Sequence, residues 1–231
     1  MMNVTLFCIP FAGGNKFIFY PLKNKLHKYI DLKPLELPGH GERLNEQPLL
    51  TIEDMVDDLT NQIIKEKPEQ YIILGYSLGA ILAYEIYFRL HKSHHILPSH
   101  MILCACEPIG YAKHNNINNM SDFEFKKFIK DKGDTPEEVL NHEELWEIVE
   151  PALKNDFLAI DNYHNSYEKK KKMNTTLSIF VGKNDTIANH TLYKWSNLTS
   201  EHVEYKFFQG SHLFITDAYD QLSEEVKLVL N

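Results

Sequence analysis

Gly75-Tyr76-Ser77-Leu78-Gly79 lies between the apolar run Tyr71 to Leu74 and the helix-forming stretch Ala80-Ile81-Leu82-Ala83-Tyr84. A serine at the apex of a strand–turn–helix reversal suits nucleophilic chemistry. The chain must turn so sharply that positions two before and two after the serine tolerate almost no side chain, and both are glycine. The Ser77 hydroxyl would stand clear of the preceding strand, beside a helix N-terminus whose free N–H groups favour developing negative charge. A glycine-rich turn with a chance serine is the plainer alternative, and the residues downstream weigh against it.

A serine hydroxyl needs a base, and the base needs an acid to hold it. In the chain order serine, acid, histidine, Asp185 closes Val181-Gly182-Lys183-Asn184-Asp185, just past an apolar run. His212 follows in Phe207-Phe208-Gln209-Gly210-Ser211-His212, again just past a run. His212 would take the proton from Ser77, and Asp185 would orient the imidazole and stabilise its charged form. Glu107, after the run ending near Cys106, is the alternative acid. Pro10-Phe11-Ala12-Gly13-Gly14 follows the first apolar run and is placed to supply one backbone N–H of an oxyanion hole, from Ala12 or alternatively Phe11. The second would come from Leu78. Losing one such donor costs about 3–4 kcal/mol of transition-state stabilisation. No G-x-G-x-x-G and no following Lys-Ser/Thr supports a phosphate-binding turn instead.

The elements that must position these residues alternate. Leu6 to Ile9, Leu32 to Leu37, Tyr71 to Leu74, Met101 to Ala105, Leu177 to Val181 and Val203 to Phe208 read as short buried strands. Ile52, Met55, Val56, Leu59 and Ile63 share one helical face, with Thr51 and Asp54 as an N-terminal cap and Pro68 beyond the end. Further helices are expected near His190 to Leu198 and up to Leu230. The pattern predicts a mostly parallel sheet covered by helices on both faces. It breaks at about 110–174, where Ser121 with Glu124, Thr135 with Glu138 across Pro136, and Asn141 with Glu144 read as starts of three or four short helices. That block is expected to be a helical lid inserted into one domain whose core spans about 1–109 and 175–231.

Composition sets the surroundings. The chain has 231 residues, and its net charge of −8 disfavours nucleic-acid binding through bulk charge. No apolar stretch is long enough to span a membrane, and the N-terminal residues do not read as a signal peptide. Three cysteines fit a reducing cytoplasm, and Cys104 and Cys106 read as strand residues packed on one face. His91, His94, His95 and His100 lack accompanying ligands at zinc spacing and read as a solvated connection; no metal is expected. A monomer is the default expectation.

The whole stretch from about Leu6 to Leu228 resembles the type II thioesterases that accompany nonribosomal peptide and polyketide synthetases, within the α/β-hydrolase superfamily. Phe7-Cys8-Ile9-Pro10-Phe11-Ala12-Gly13-Gly14 and Leu35-Glu36-Leu37-Pro38-Gly39-His40-Gly41-Glu42-Arg43 look like the family's first two strand–loop motifs, with His40 where the family often has arginine. Asp122-Phe123-Glu124-Phe125, Gly133 to Leu140 and Asp156-Phe157 look like its helical lid, and His212-Leu213-Phe214 like its histidine motif. The resemblance implies an α/β-hydrolase fold and hydrolysis of acyl or aminoacyl thioesters on the phosphopantetheine arm of carrier proteins. Phosphopantetheine would belong to the substrate, and no separate cofactor is implied. The alternatives are a generic esterase or medium-chain fatty acyl thioesterase, and a catalytically idle carrier-binding module. Because carrier proteins are usually acidic, docking would need a local basic patch, for which Lys113, Lys126, Lys127, Lys130 and Lys169 to Lys172 are the candidates.

Overall fold

The computed structural model describes residues 4–111, 115–133, 135–166, 171–187 and 189–230. The apolar runs form β1 (Thr5–Ile9), β2 (Asp31–Pro34), β3 (Tyr71–Tyr76), β4 (His100–Cys104), β5 (Thr176–Gly182) and β6 (Val203–Phe208). They make one sheet in the order β2-β1-β3-β4-β5-β6, with every neighbouring pair parallel. Successive residues point to opposite faces. Leu6 and Cys8 therefore pack with Leu22 and Leu26 of α1 (Tyr20–Leu26). Phe7 and Ile9 pack with α2 (Ile52–Lys65) and α3 (Leu78–Lys92). Thr51 caps α2 by accepting the Asp54 N–H at 3.1 Å, and Ile52, Met55, Val56, Leu59 and Ile63 are all buried.

β2 stops three residues short of the expected Leu37. The Leu35 N–H still donates to Cys8 O at 2.8 Å. Glu36 then serves the loops instead, its buried carboxylate accepting the N–H groups of Lys16 (3.0 Å) and Glu42 (2.8 Å).

Between β4 and β5 the described residues form a 3-10 turn (Ile117–Asn119), α4 (Asp122–Lys132), α5 (Glu137–Asn141) and α6 (Glu143–Ser166). Ser121 and Glu124 make the expected capping box. The other two starts differ. Pro136 takes the N-cap place of α5, so Thr135 caps nothing, and Asn141 lies inside α5. The block is dominated by one 24-residue helix that runs through Pro151, rather than by short helices alone. Its cluster of Ile117, Phe125, Ile129, Leu140, Trp146 and Leu153 also takes in Ala12.

After β5, α7 (Asn189–Leu192) tightens into a 3-10 turn (Tyr193–Asn197), where a single longer helix was expected. The buried Trp195 there donates its Nε1–H to Cys106 O at 3.2 Å. The last helix, α8 (Tyr219–Val229), packs against α1.

Two smaller expectations are corrected. β4 ends at Cys104, and Ala105 takes a positive φ of 49°. That reversal sends Cys106 into the α2–α3 side of the core while Cys104 stays on the α1–α8 side, so the two thiols do not share a face. His100 is not part of a solvated connection. It opens β4, lies 2.8 Å (Nε2) from Ser178 Oγ on β5, and burial pushes its pKa down to about 4.

Candidate active site

β3 runs into Ser77, whose backbone takes φ 53° and ψ −110°, a region that side chains rarely adopt. The Ser77 N–H donates to Cys104 O at 2.8 Å, tying the apex to β4. The flanking glycines are obligatory on steric grounds. A Cβ on Gly75 would fall 2.2 Å from Gly79 O, and one on Gly79 would fall 2.2 Å from Ile9 O and 2.7 Å from Pro10 O. The same close approach sets the N-terminus of α3 against the loop that leaves β1.

The loops after β5 and β6 close on each other through another glycine. A Cβ on Gly182 would lie 2.1 Å from Ser211 O, and the Asn184 N–H donates to Gly210 O at 3.0 Å. His212 and Asp185 thereby meet: His212 Nδ1 is 3.0 Å from Asp185 Oδ2, and His212 Nε2 is 3.0 Å from Ser77 Oγ. The Asp185 side chain is wholly buried, and its Oδ1 also accepts the Ile187 N–H at 3.2 Å. With Nδ1–H donating to the carboxylate, Nε2 is left as an acceptor for the serine hydroxyl. Glu107 does follow β4, but the imidazole Nδ1 is held by Asp185. Burial, with the charges of Glu107 and Asp185, pushes the Cys106 thiol pKa far up, so it is an inert neighbour.

Phe11 to Gly14 form a turn closed by the Gly14 N–H donating to Phe11 O at 2.9 Å, with Gly13 at φ +70°. Positive φ at the third residue is the type II pattern and leaves Ala12 at the second. Leu78, the first residue of α3, has an N–H without an intrahelical acceptor.

A residue that the sequence reading left without a role also reaches this turn, with a second behind it. Asp156 Oδ2, from α6, accepts the Gly13 N–H at 2.7 Å and lies 2.9 Å from His40 Nε2. His40 Nδ1 in turn lies 3.0 Å from Pro38 O. Both side chains are buried. The signals available in the sequence were Asp156-Phe157 and His40 themselves, both within the motifs of the resemblance.

A parallel sheet whose central strand β3 ends in a strained serine turn, faced by aspartate and histidine loops that follow β5 and β6, is the α/β-hydrolase arrangement. Within that class the chain belongs to the thioesterase domain family, whose family model matches residues 4–228, and it is a thioester hydrolase. It is 27% identical to the gramicidin S biosynthesis protein GrsT of Aneurinibacillus migulanus, over 99% of this chain and 91% of that protein. The structure of ClbQ from the colibactin NRPS/PKS pathway superposes with a TM-score of 0.89 at 28% identity, covering 98% of this chain and 96% of ClbQ. The human medium-chain S-acyl fatty acid synthase thioesterase is 22% identical, over 92% of this chain and 81% of that enzyme.

Proposed function

We propose that Ser77, His212 and Asp185 are the catalytic triad of an editing thioesterase. It would clear acyl or aminoacyl groups from the phosphopantetheine arms of carrier proteins in a nonribosomal peptide or polyketide synthetase. The observation that carries this reading is the imidazole of His212 bridging Ser77 Oγ and Asp185 Oδ2 at 3.0 Å each. The similarity to GrsT and ClbQ supports the setting. In the mechanism, Ser77 Oγ attacks the thioester carbonyl as His212 Nε2 takes its proton. The N–H groups of Ala12 and Leu78 hold the tetrahedral oxyanion. Collapse expels the pantetheine thiol, protonated by His212, and leaves an acyl-serine. A water molecule deprotonated by His212 then attacks the acyl-serine, releasing the carboxylic acid and restoring the hydroxyl. Every group in the scheme comes from one chain or from water, which suits a monomer. The helical block of α4 to α6 would act as the lid. Three buried free thiols suit a reducing cytoplasm.

The deciding experiment presents carrier proteins loaded with acetyl, aminoacyl, medium-chain and long-chain acyl groups and measures release of each. Acetyl and aminoacyl release that is lost in Ser77→Ala supports editing. Release confined to medium-chain acyl groups supports the second reading, a fatty acyl thioesterase, which the similarity to the human enzyme favours. Wild-type protein that is folded but neither hydrolyses these substrates nor reacts with a serine-directed fluorophosphonate would be a carrier-binding module.

A further inference from the structure

The lid helix touches the oxyanion turn through two residues on one face. Leu153 and Asp156 are three apart on α6 and so neighbours on its surface. A Cβ on Gly13 would fall 2.5 Å from Leu153 Cδ1, and Asp156 Oδ2 accepts the Gly13 N–H at 2.7 Å. Gly13 is bonded directly to Ala12, so whatever fixes the Gly13 peptide fixes the orientation of the turn that presents the Ala12 N–H.

The partner of Asp156 is equally specific. His40 Nε2 faces the same carboxylate oxygen at 2.9 Å, and His40 Nδ1 faces Pro38 O at 3.0 Å. Both ring nitrogens meet acceptors, and only the doubly protonated imidazole can donate to both. Among the described residues the charge of Glu36 also acts on His40, and Glu36 is itself 4.0 Å from Lys16 Nζ. A buried carboxylate one residue from an oxyanion donor would by itself disfavour negative charge developing there. The cationic His40 balances it.

We propose that Asp156 is a positioning residue for thioester hydrolysis: carried on the lid helix, it holds the Gly13 peptide and hence the Ala12 N–H in place, with His40 as its counter-charge, so that seating the lid helix and assembling the oxyanion hole are one event. This rests on the reading of Ser77 as nucleophile and Ala12 as oxyanion donor. It makes chemistry, and not only substrate access, depend on the lid.

The test uses the full chain and a small acyl-N-acetylcysteamine thioester, which lacks a carrier. Asp156→Ala is expected to lower kcat by ~10- to 100-fold with KM little changed, the signature of a misplaced transition-state donor. Tyr163→Phe removes a different contact of the lid helix, the 2.7 Å hydrogen bond from Tyr163 to Glu85, and should leave kcat near wild type. Asp156→Asn keeps an acceptor for Gly13 without the charge, and His40→Gln leaves the charge bare. Wild-type kcat should fall at alkaline pH as His40 loses its proton. Both variants should lack that limb, with Asp156→Asn high throughout and His40→Gln low throughout. The inference is overturned if folded Asp156→Ala keeps kcat within about twofold of wild type, or if Tyr163→Phe loses as much. Should Asp156→Ala not fold, the other two variants decide, and alkaline limbs parallel to wild type in both overturn it. Ser77→Ala separates the layers. Retained hydrolysis in Ser77→Ala defeats the underlying reading. Loss there with full kcat in Asp156→Ala defeats this inference alone.

Discussion

The Tyr76 hydroxyl donates to the carbonyl oxygen of His212 at 2.6 Å, so the residue before Ser77 holds the loop that carries His212. The Tyr76 ring meets the imidazole edge-on at 6.5 Å between centroids and packs on Phe214 at 5.3 Å. The spacing of Ser77 and His212 is thus set by a buried strand rather than by a free loop. Tyr76→Phe is expected to lower kcat by ~10-fold through a small shift of His212, with KM unchanged. Losing the partner of this part-buried carbonyl should also cost about 1 kcal/mol, read by urea unfolding beside steady-state kinetics.

The elbow glycines make a second, steric expectation. Alanine at 75 or 79 drives a Cβ to 2.2 Å from a backbone oxygen, and neither oxygen can retreat without moving Ser77 or β1. Gly75→Ala and Gly79→Ala should each destabilise the fold by roughly 2 kcal/mol or more and remove most hydrolysis. Gly133→Ala is the contrast. Its φ is +74°, but nothing lies within 4 Å of the added methyl. It should cost about 1 kcal/mol of backbone strain and leave kcat intact. Similar losses of activity at all three positions would argue against a steric elbow.

The choice of acid can be put to the same substrate. Asp185 is wholly buried and bonded to His212 Nδ1. Asp185→Asn cannot orient the required tautomer and should lower kcat by ~10^3- to 10^4-fold. Glu107→Gln should leave the rate within a few-fold of wild type. The reverse order of losses in stopped-flow or steady-state hydrolysis would move the acid to the loop after β4.

The meeting of Ser77, Asp185 and His212 is legible in the sequence because each position leaves a contiguous trace: glycines at fixed offsets from the serine, and the aspartate and histidine each just past a strand. Helix starts divide on the same principle. Thr51 and Ser121 cap because a hydroxyl three residues before an N–H can reach it, whereas Thr135 is displaced by Pro136. Periodicity fails at Cys106 because one residue of positive φ, Ala105, exchanges the two faces. Asp156 is marked only through Asp156-Phe157 in the resemblance, and its role leaves no local trace. Its partners Gly13 and His40 lie 143 and 116 residues away, and within its helix it reads like any solvated carboxylate.

The His40–Asp156 pair also gives stability a pH dependence. Burial disfavours charge on His40, but the hydrogen bond and charge of Asp156, with Pro38 O and the charge of Glu36, outweigh it and raise the pKa above 6.5. The folded protein then binds this proton more tightly than the unfolded chain. The stabilisation is complete below the unfolded value and is lost as pH rises through the native one. Urea unfolding should therefore show wild type ahead of His40→Gln at about pH 6, with the gap narrowing by about pH 9. A gap that stays constant over that range would mean a neutral hydrogen bond.

Carrier docking is the remaining expectation, and the surface of the α4 to α6 block suggests where to cut. Lys113, Lys169 and Lys170 lie outside the described residues, and Lys171 packs over Phe88, 5.3 Å from its ring centre. On α4, Lys126 sits 5.1 Å from the centre of the Trp146 ring and contributes to packing as well as charge. Lys127 and Lys130 are exposed, and neither is in an ion pair among the described residues. In a chain of net charge −8, such a local basic face is what an acidic carrier would need. Reversing both, Lys127→Glu with Lys130→Glu, should lower kcat/KM for an acyl-carrier substrate by ~10-fold at low salt and spare a small synthetic thioester. The difference should shrink as salt screens the surface charges. Equal loss on both substrates would place the defect in the helical block itself and remove α4 as the docking face.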